Sequence, residues 1–220
     1  MTNSPTYPFE REQNYSWLGG VEELPKRIFD YILDLPLPGY VPKESNDYPR
    51  VRLCKYIFYD EPRPLSFPAL STEQKLSLIY DPAAPDKPPT EKGFRLFPLR
   101  QVSQAQIRGQ SLLKCYISKI LPTDVFTVQL GLTFDIISSM PYVSNLKSAA
   151  IDRTLAIEQC LWECLNGLNL GGVGTVFCDR HQLSDCGSFE FTDNLANLGR
   201  RLCFGLTWKD SASPPNTAEL

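Results

Sequence analysis

The chain of 220 residues contains one histidine, His181, and only two methionines and three tryptophans. A single imidazole confines any chemistry that uses histidine as base or metal ligand to one position. Long apolar runs are missing too; nothing approaches the ~20 residues that a membrane-spanning helix needs. The opening MTNSPTYPFEREQ lacks the basic start and apolar stretch of a secretory leader, so none is expected. Nor is there an excess of positive charge: 22 Lys and Arg stand against 25 Asp and Glu, a formal net charge of −3. Proteins that coat nucleic acid need a concentrated basic face, so specific nucleic-acid binding is not expected. These absences tilt the reading away from an enzyme, and no catalytic, cofactor or metal residue is assigned.

Proline and cysteine, by contrast, are plentiful. The 19 prolines exceed the usual share of about 5%. The seven cysteines, at 54, 115, 160, 164, 178, 186 and 203, are odd in number and scattered. Without a leader they read as free thiols in a reducing compartment, several serving as small core residues. At 42% hydrophobic and 21% charged, the composition is that of a globular chain able to bury a substantial core.

Residues 1–16 are polar and aperiodic and read as an irregular arm. Leu24, Ile28, Ile32 and Leu35 then recur at helical spacing, with Pro25 suited to the first turn and Pro36 and Pro38 beyond its end, which predicts a helix over 25–35. In Pro49–Tyr59, Val51, Leu53 and Ile57 alternate with Arg50, Arg52 and Tyr56, the pattern of a strand. Residues 60–110 carry eight prolines and read as an irregular insertion, with a short helical piece at Thr72–Ile79. Its apolar anchors Phe67, Leu70, Leu78, Ile79, Phe94, Leu96 and Phe97 imply packing on its own domain or on a neighbouring subunit.

The strongest periodicity follows. Ser111–Leu121 reads as a strand. In Val125–Ile137, Phe126, Val128, Leu130, Leu132, Phe134 and Ile136 share one face, and Thr127, Gln129, Gly131, Thr133 and Asp135 the other. Leu121-Pro-Thr-Asp-Val125 supplies the turn of an antiparallel hairpin. Asn145–Leu168 reads as a helix with Ala150, Ile157, Leu161, Cys164 and Leu168 inward, Asp152, Arg153, Glu158 and Glu163 turned mostly outward, and Asn166-Gly167 ending it. Strands are expected at Val173–Cys178, Ser188–Phe191 and Arg200–Trp208, and residues 209–220 read as an irregular terminus. The sum is one α+β domain, with an antiparallel-rich mixed sheet and two helices packed on one face. Its core is built from 21–59 and 111–208, with the long proline-rich insertion between them.

Several local constellations invite chemistry. In Cys178-Asp-Arg-His181, followed by Cys186, Cys178 and His181 could form one pair of zinc ligands, and Cys160 and Cys164, one helical turn apart, another, although the spacings match no common zinc module. Cys178 or Cys186 with His181 and Asp179 or Asp185 offers a nucleophile–base set. Gly171-Gly-Val-Gly174 resembles a phosphate loop but follows a helix and precedes a strand, the reverse of the order such loops need, so it reads as a cap and tight turn. Glu22-Glu23 suits a helix start. Lys26-Arg27, Arg50-Arg52 and Arg200-Arg201 are isolated basic pairs that read as solvated faces.

Leu132-Thr-Phe-Asp-Ile-Ile137, the helix with Ala156-Ile157-Glu158 and its exit Leu165-Asn-Gly-Leu-Asn-Leu-Gly-Gly-Val-Gly-Thr-Val-Phe177, and Leu202-Cys-Phe-Gly-Leu-Thr-Trp208 together resemble tail-terminator and neck proteins of tailed bacteriophages. The resemblance covers the first helix and residues 111–208, in element order and rhythm. It implies a homo-oligomeric ring of six copies in the virion, assembled in the host cytoplasm, that caps the tail-tube protein and meets the head-side connector. It carries no catalytic residues. Two other readings stand beside it: a cytosolic Cys/His metal-binding enzyme or module, and a protein-binding module that uses the proline-rich segment.

Overall fold

The computed structural model describes residues 21–35, 41–81, 93–100, 111–123, 127–139, 146, 151–169, 174–194 and 197–209. Among them the protein is mixed α/β, with four α-helices and a six-stranded mixed sheet. The helices are α1 (Leu24–Leu33), α2 (Pro49–Phe58), α3 (Thr72–Leu78) and α4 (Arg153–Leu165). The strands are β1 (Leu96–Phe97), β2 (Ser111–Pro122), β3 (Thr127–Ser139), β4 (Val176–Phe177), β5 (Gly187–Asn194) and β6 (Asn197–Lys209).

β2 and β3 pair antiparallel, and β3 and β6 pair antiparallel over their whole length, from Thr127↔Lys209 to Ser139↔Asn197. β4 and β5 both line up antiparallel along the other edge of β6, β4 beside Gly205 and Leu206, β5 beside residues from Asn197 to Cys203. The short β1 runs parallel to β2 and makes the sheet mixed. The period-two pattern of β3 therefore marks a central strand. Val128, Leu130, Leu132, Phe134 and Ile136 enter the main core, which they share with Leu202, Phe204, Leu206 and Trp208 of β6 and with residues of α1, α2 and α4. Phe204 meets Phe134 and Trp162 edge-on, with ring centroids 6.0 and 5.3 Å apart, so aromatic edges join α4 to the two central strands.

The first helix begins with Pro25 inside its opening turn and ends at Asp34, a left-handed residue with φ 53°. Asp34 is buried and gathers three segments: its carboxylate pairs with Arg50 at 2.7 Å and accepts from the Lys43 N–H, and its carbonyl accepts from Lys75 Nζ. A capping box of Ser71 and Gln74 starts α3, the short helix expected there. That helix and β1 lie within the proline-rich 60–110 segment. Leu70, Leu78 and Leu96 from it sit in the main core. Residues 82–92 and 101–110 of it lie outside the described residues.

Four expectations are corrected. Pro49–Tyr59 is not a strand but helix α2, with Pro49 in its first turn. The helix is buried on most sides, through Val51, Leu53, Cys54, Tyr56, Ile57 and Phe58, so it has no polar face to announce a 3.6-residue period. The cations at 50 and 52 that imitated strand alternation are paired with Asp34 and Glu163. The helix predicted from Asn145 is α4, and it starts at Arg153, where the Asp152 carboxylate accepts the Leu155 N–H at 2.8 Å. Arg153 and Glu158 do not face outward: both are buried, Glu158 against Arg200 at 2.5 Å. The strand predicted at Val173–Cys178 is described only from Gly174 on, and there it is confined to Val176–Phe177.

Arg153 is fully buried at the start of α4 and donates to the carbonyls of Tyr56, Tyr59 and Glu61 at 2.7–2.8 Å. Arg95, just before β1, donates to the Ile57 carbonyl and grips both oxygens of Asp60 at 2.6 and 2.7 Å. Two guanidinium groups thus cap the carbonyl end of α2, which a helix leaves without internal partners and which its dipole makes favourable for cations.

Candidate functional site

The thiols and the histidine of the proposed metal set do not converge. Cys160 and Cys164 lie on α4 within the main core. Burial pushes Cys160 up to about 11, the Arg52 hydrogen bond opposing, and Cys54 of α2 nearby up to about 12. Cys178 lies beyond β4 and donates to the Cys203 carbonyl at 3.6 Å; burial, with the neighbouring Cys186, raises it to about 11. His181 is exposed in a turn organised by Asp179, whose carboxylate accepts the His181 N–H at 2.8 Å. Among the described residues no three His, Cys, Asp or Glu side chains are grouped to hold a metal ion. The nucleophile–base set fails on the same geometry. Asp185 pairs with Lys119 at 3.1 Å, and Asp179 serves its own turn.

Burial of these thiols sets an expected outcome. Under native conditions at pH 8, a disulfide reagent should label the protein slowly, Cys178 first as the one thiol not fully enclosed. In denaturant all seven should react rapidly. Several fast native thiols would contradict this packing.

The glycine run is only partly described, at Gly174. There φ is +127°, and a side chain would run into the Thr207 carbonyl of β6. The helix exit is knitted directly to the sheet: the Gly167 N–H donates to the Val176 carbonyl and the Val176 N–H to the Leu168 carbonyl. The arginine pairs are not free solvated charge. Arg50 joins Asp34, Arg52 joins Glu163, Arg200 joins Glu158 and Glu190, and Arg201 joins Asp135.

The sheet face opposite the main core carries a different chemistry, set by the same period of two. On β3 the face opposite Phe134 presents Thr133 and Asp135; the neighbouring strands add Tyr116 and Arg201, in register with them. Asp135 is buried and accepts three hydrogen bonds, from Arg201 at 2.5 and 2.8 Å and from the Tyr116 hydroxyl at 3.1 Å. Burial first, and then the Asp135 charge, push the Tyr116 hydroxyl up to about 12. The Asp135 carboxylate in turn holds Arg201 more firmly protonated than usual.

A basin of about 460 Å³ opens over this network, lined also by Arg100, Arg180, Asp185 and Phe189. Arg100 lies over the Tyr116 ring at 5.8 Å. Arg180 comes from the loop that also holds His181 and spends its Nε–H on the Cys186 carbonyl. Sequence reasoning named Asp185 only as a partner for His181 and Arg201 only in a basic pair, and it passed over Arg100, Tyr116 and Phe189 as site residues. The one signal was the polar face of β3, because Arg100, Arg180 and Arg201 come from three separate segments.

At its edges the sheet is incomplete among the described residues. Beyond Lys114, β2 pairs only with β3, and β5 pairs only with β6. Apolar side chains are exposed at both margins, Ile120 and Leu121 on β2 and Phe189 on β5. No described helix is long and apolar enough to cross a membrane. No protein-family model matches the chain, and no curated protein matches it either.

Proposed function

We propose that the chain is a virion structural protein, a tail-terminator or neck-ring subunit that caps the tail tube and joins it to the head-side connector. The observation that carries this reading is the pair of open sheet margins. β2 and β5 lie on opposite sides of the sheet, and among the described residues each has an edge without a strand partner and carries exposed apolar side chains. A contact of one margin against the other in the next copy is heterologous, and such contacts close into a ring when the rotation permits. Strand edges are the usual site for adding another chain, because their N–H and C=O groups are already aligned. The helices sharing the core with one face of the sheet, and the polar network on the other, fit a subunit that exposes the second face to neighbours or to the tube.

Native mass spectrometry of the purified protein, with and without tail tube, tests this. The expected result is a closed, metal-free ring, of six copies on the resemblance. Leu121→Glu, at an exposed position that the fold should tolerate, is expected to leave monomers. A monomer that never assembles in either condition, or a stable species with one zinc per chain, would overturn the reading.

A further inference from the structure

The basin on the polar face of the sheet has a charge balance unlike that of the whole chain. Arg201 is spent on Asp135, and Asp185 is spent on Lys119. Arg100 and Arg180 make no ion pair among the described residues, so two positive charges remain in the lining on a chain whose net charge is −3. The hydroxyls there are already donating: Tyr116 to Asp135, Ser118 to the Gly131 carbonyl, Ser184 to Asp185. The donors left over are therefore guanidinium N–H groups, which favour planar oxyanions and above all carboxylates.

The shape narrows the ligand further. A basin of about 460 Å³ is large for one inorganic anion, and its size is ordinary for a site that takes several chemical groups. Phe189, half exposed at its rim, offers an apolar shelf that a bare oxyanion would leave wet. Nucleic acid fits poorly, since the lining offers two cations without an ion pair among the described residues, on a chain of net charge −3, and a chain of phosphates needs an extended basic face.

We propose that this basin is a docking site for an acidic segment of a partner polypeptide. Arg100 and Arg180 receive its carboxylates, and an apolar side chain beside them covers Phe189. The site is contained within one chain, so the single chain suffices for its test, whereas a neighbour on the β5 margin would compete for Phe189.

The test is fluorescence anisotropy with the full chain and a labelled, end-blocked Glu-Glu-Phe-Glu-Glu peptide, with Lys-Lys-Phe-Lys-Lys as the charge-reversed control. Binding of the acidic peptide alone is expected, weakening as salt is raised. Arg100→Gln and Arg180→Gln should each weaken it roughly fivefold, and together abolish it. Asp185→Asn should tighten it about two- to threefold, because it removes a competing carboxylate and frees Lys119. That gain cannot arise from damaged folding. Equal binding of both peptides, no binding of the acidic one, or indifference to both arginine changes would overturn the proposal. So would inorganic phosphate displacing the peptide at equal concentration, which would make the basin a bare anion site.

Discussion

Arg153→Leu is expected to be among the most damaging single changes in the protein, lowering stability by about 3–5 kcal/mol in urea unfolding. The side chain is wholly buried and satisfies three carbonyls, those of Tyr56, Tyr59 and Glu61, at the end of α2 and in the chain beyond it. Leucine fills much of the volume but leaves those oxygens without a donor, in a place water reaches poorly. Burial already holds the Arg153 guanidinium below its ordinary range, so the carbonyls supply the solvation it has given up. Arg153→Lys should recover little, because one ammonium cannot span acceptors arranged for a planar fork. The melting temperature should fall by about 10 °C for a domain of this size. A loss below about 1 kcal/mol would mean that water enters and takes over the three bonds.

Asp135→Ala should cost about 2–4 kcal/mol, because it leaves the Arg201 guanidinium half-buried without its carboxylate and the Tyr116 hydroxyl without its acceptor. A double-mutant cycle with Arg201→Ala separates the pair from the packing, and a coupling of about 2 kcal/mol is expected. Coupling near zero would mean that the pair only fills space. The same variant has an alkaline signature. Burial, and then the Asp135 charge, push Tyr116 up to about 12 in the fold against an ordinary 10.0. A raised phenol favours the folded state while it stays protonated, so this contribution is intact below pH 10 and is lost as pH rises through 12. Removing the Asp135 charge should move the Tyr116 transition part of the way back toward 10, since burial, the larger cause, remains. Absorbance near 295 nm, compared with Tyr116→Phe, follows it.

How much of this could be read from residues alone depended on whether each element had one apolar and one polar face. β3 and β6 do: Val128 to Ile136 and Leu202 to Trp208 alternate because one side of the sheet is core and the other is polar. α1 and α3 announce themselves through an apolar stripe and a capping box. α2 does not, because it is enclosed and its cations at 50 and 52 are tethered to Asp34 and Glu163, far along the sequence. Arg153 and Glu158 looked solvent-facing for a related reason: their partners, the end of α2 and Arg200, are brought near only by the tertiary fold. The basin was invisible for the same cause. Arg100, Arg180 and Arg201 are neighbours only once β6 lies beside β3 and the loop before β5 folds back.

The position of β6 also governs when the chain can fold. It is the hub of the sheet, holding β3 along one edge and β4 and β5 along the other, yet it comes after all the other described strands in the sequence. Until Lys209 has cleared the ribosome, β3 lacks one neighbour along its entire length, and the apolar side chains of Val128 to Ile136 lack their cross-strand partners. Pairings this distant in sequence form slowly and keep hydrophobic surface open in the interval. A stop codon shortly before Asn197 should abolish the fold, because among the described residues every large strand contact except that of β2 with β3 runs through β6.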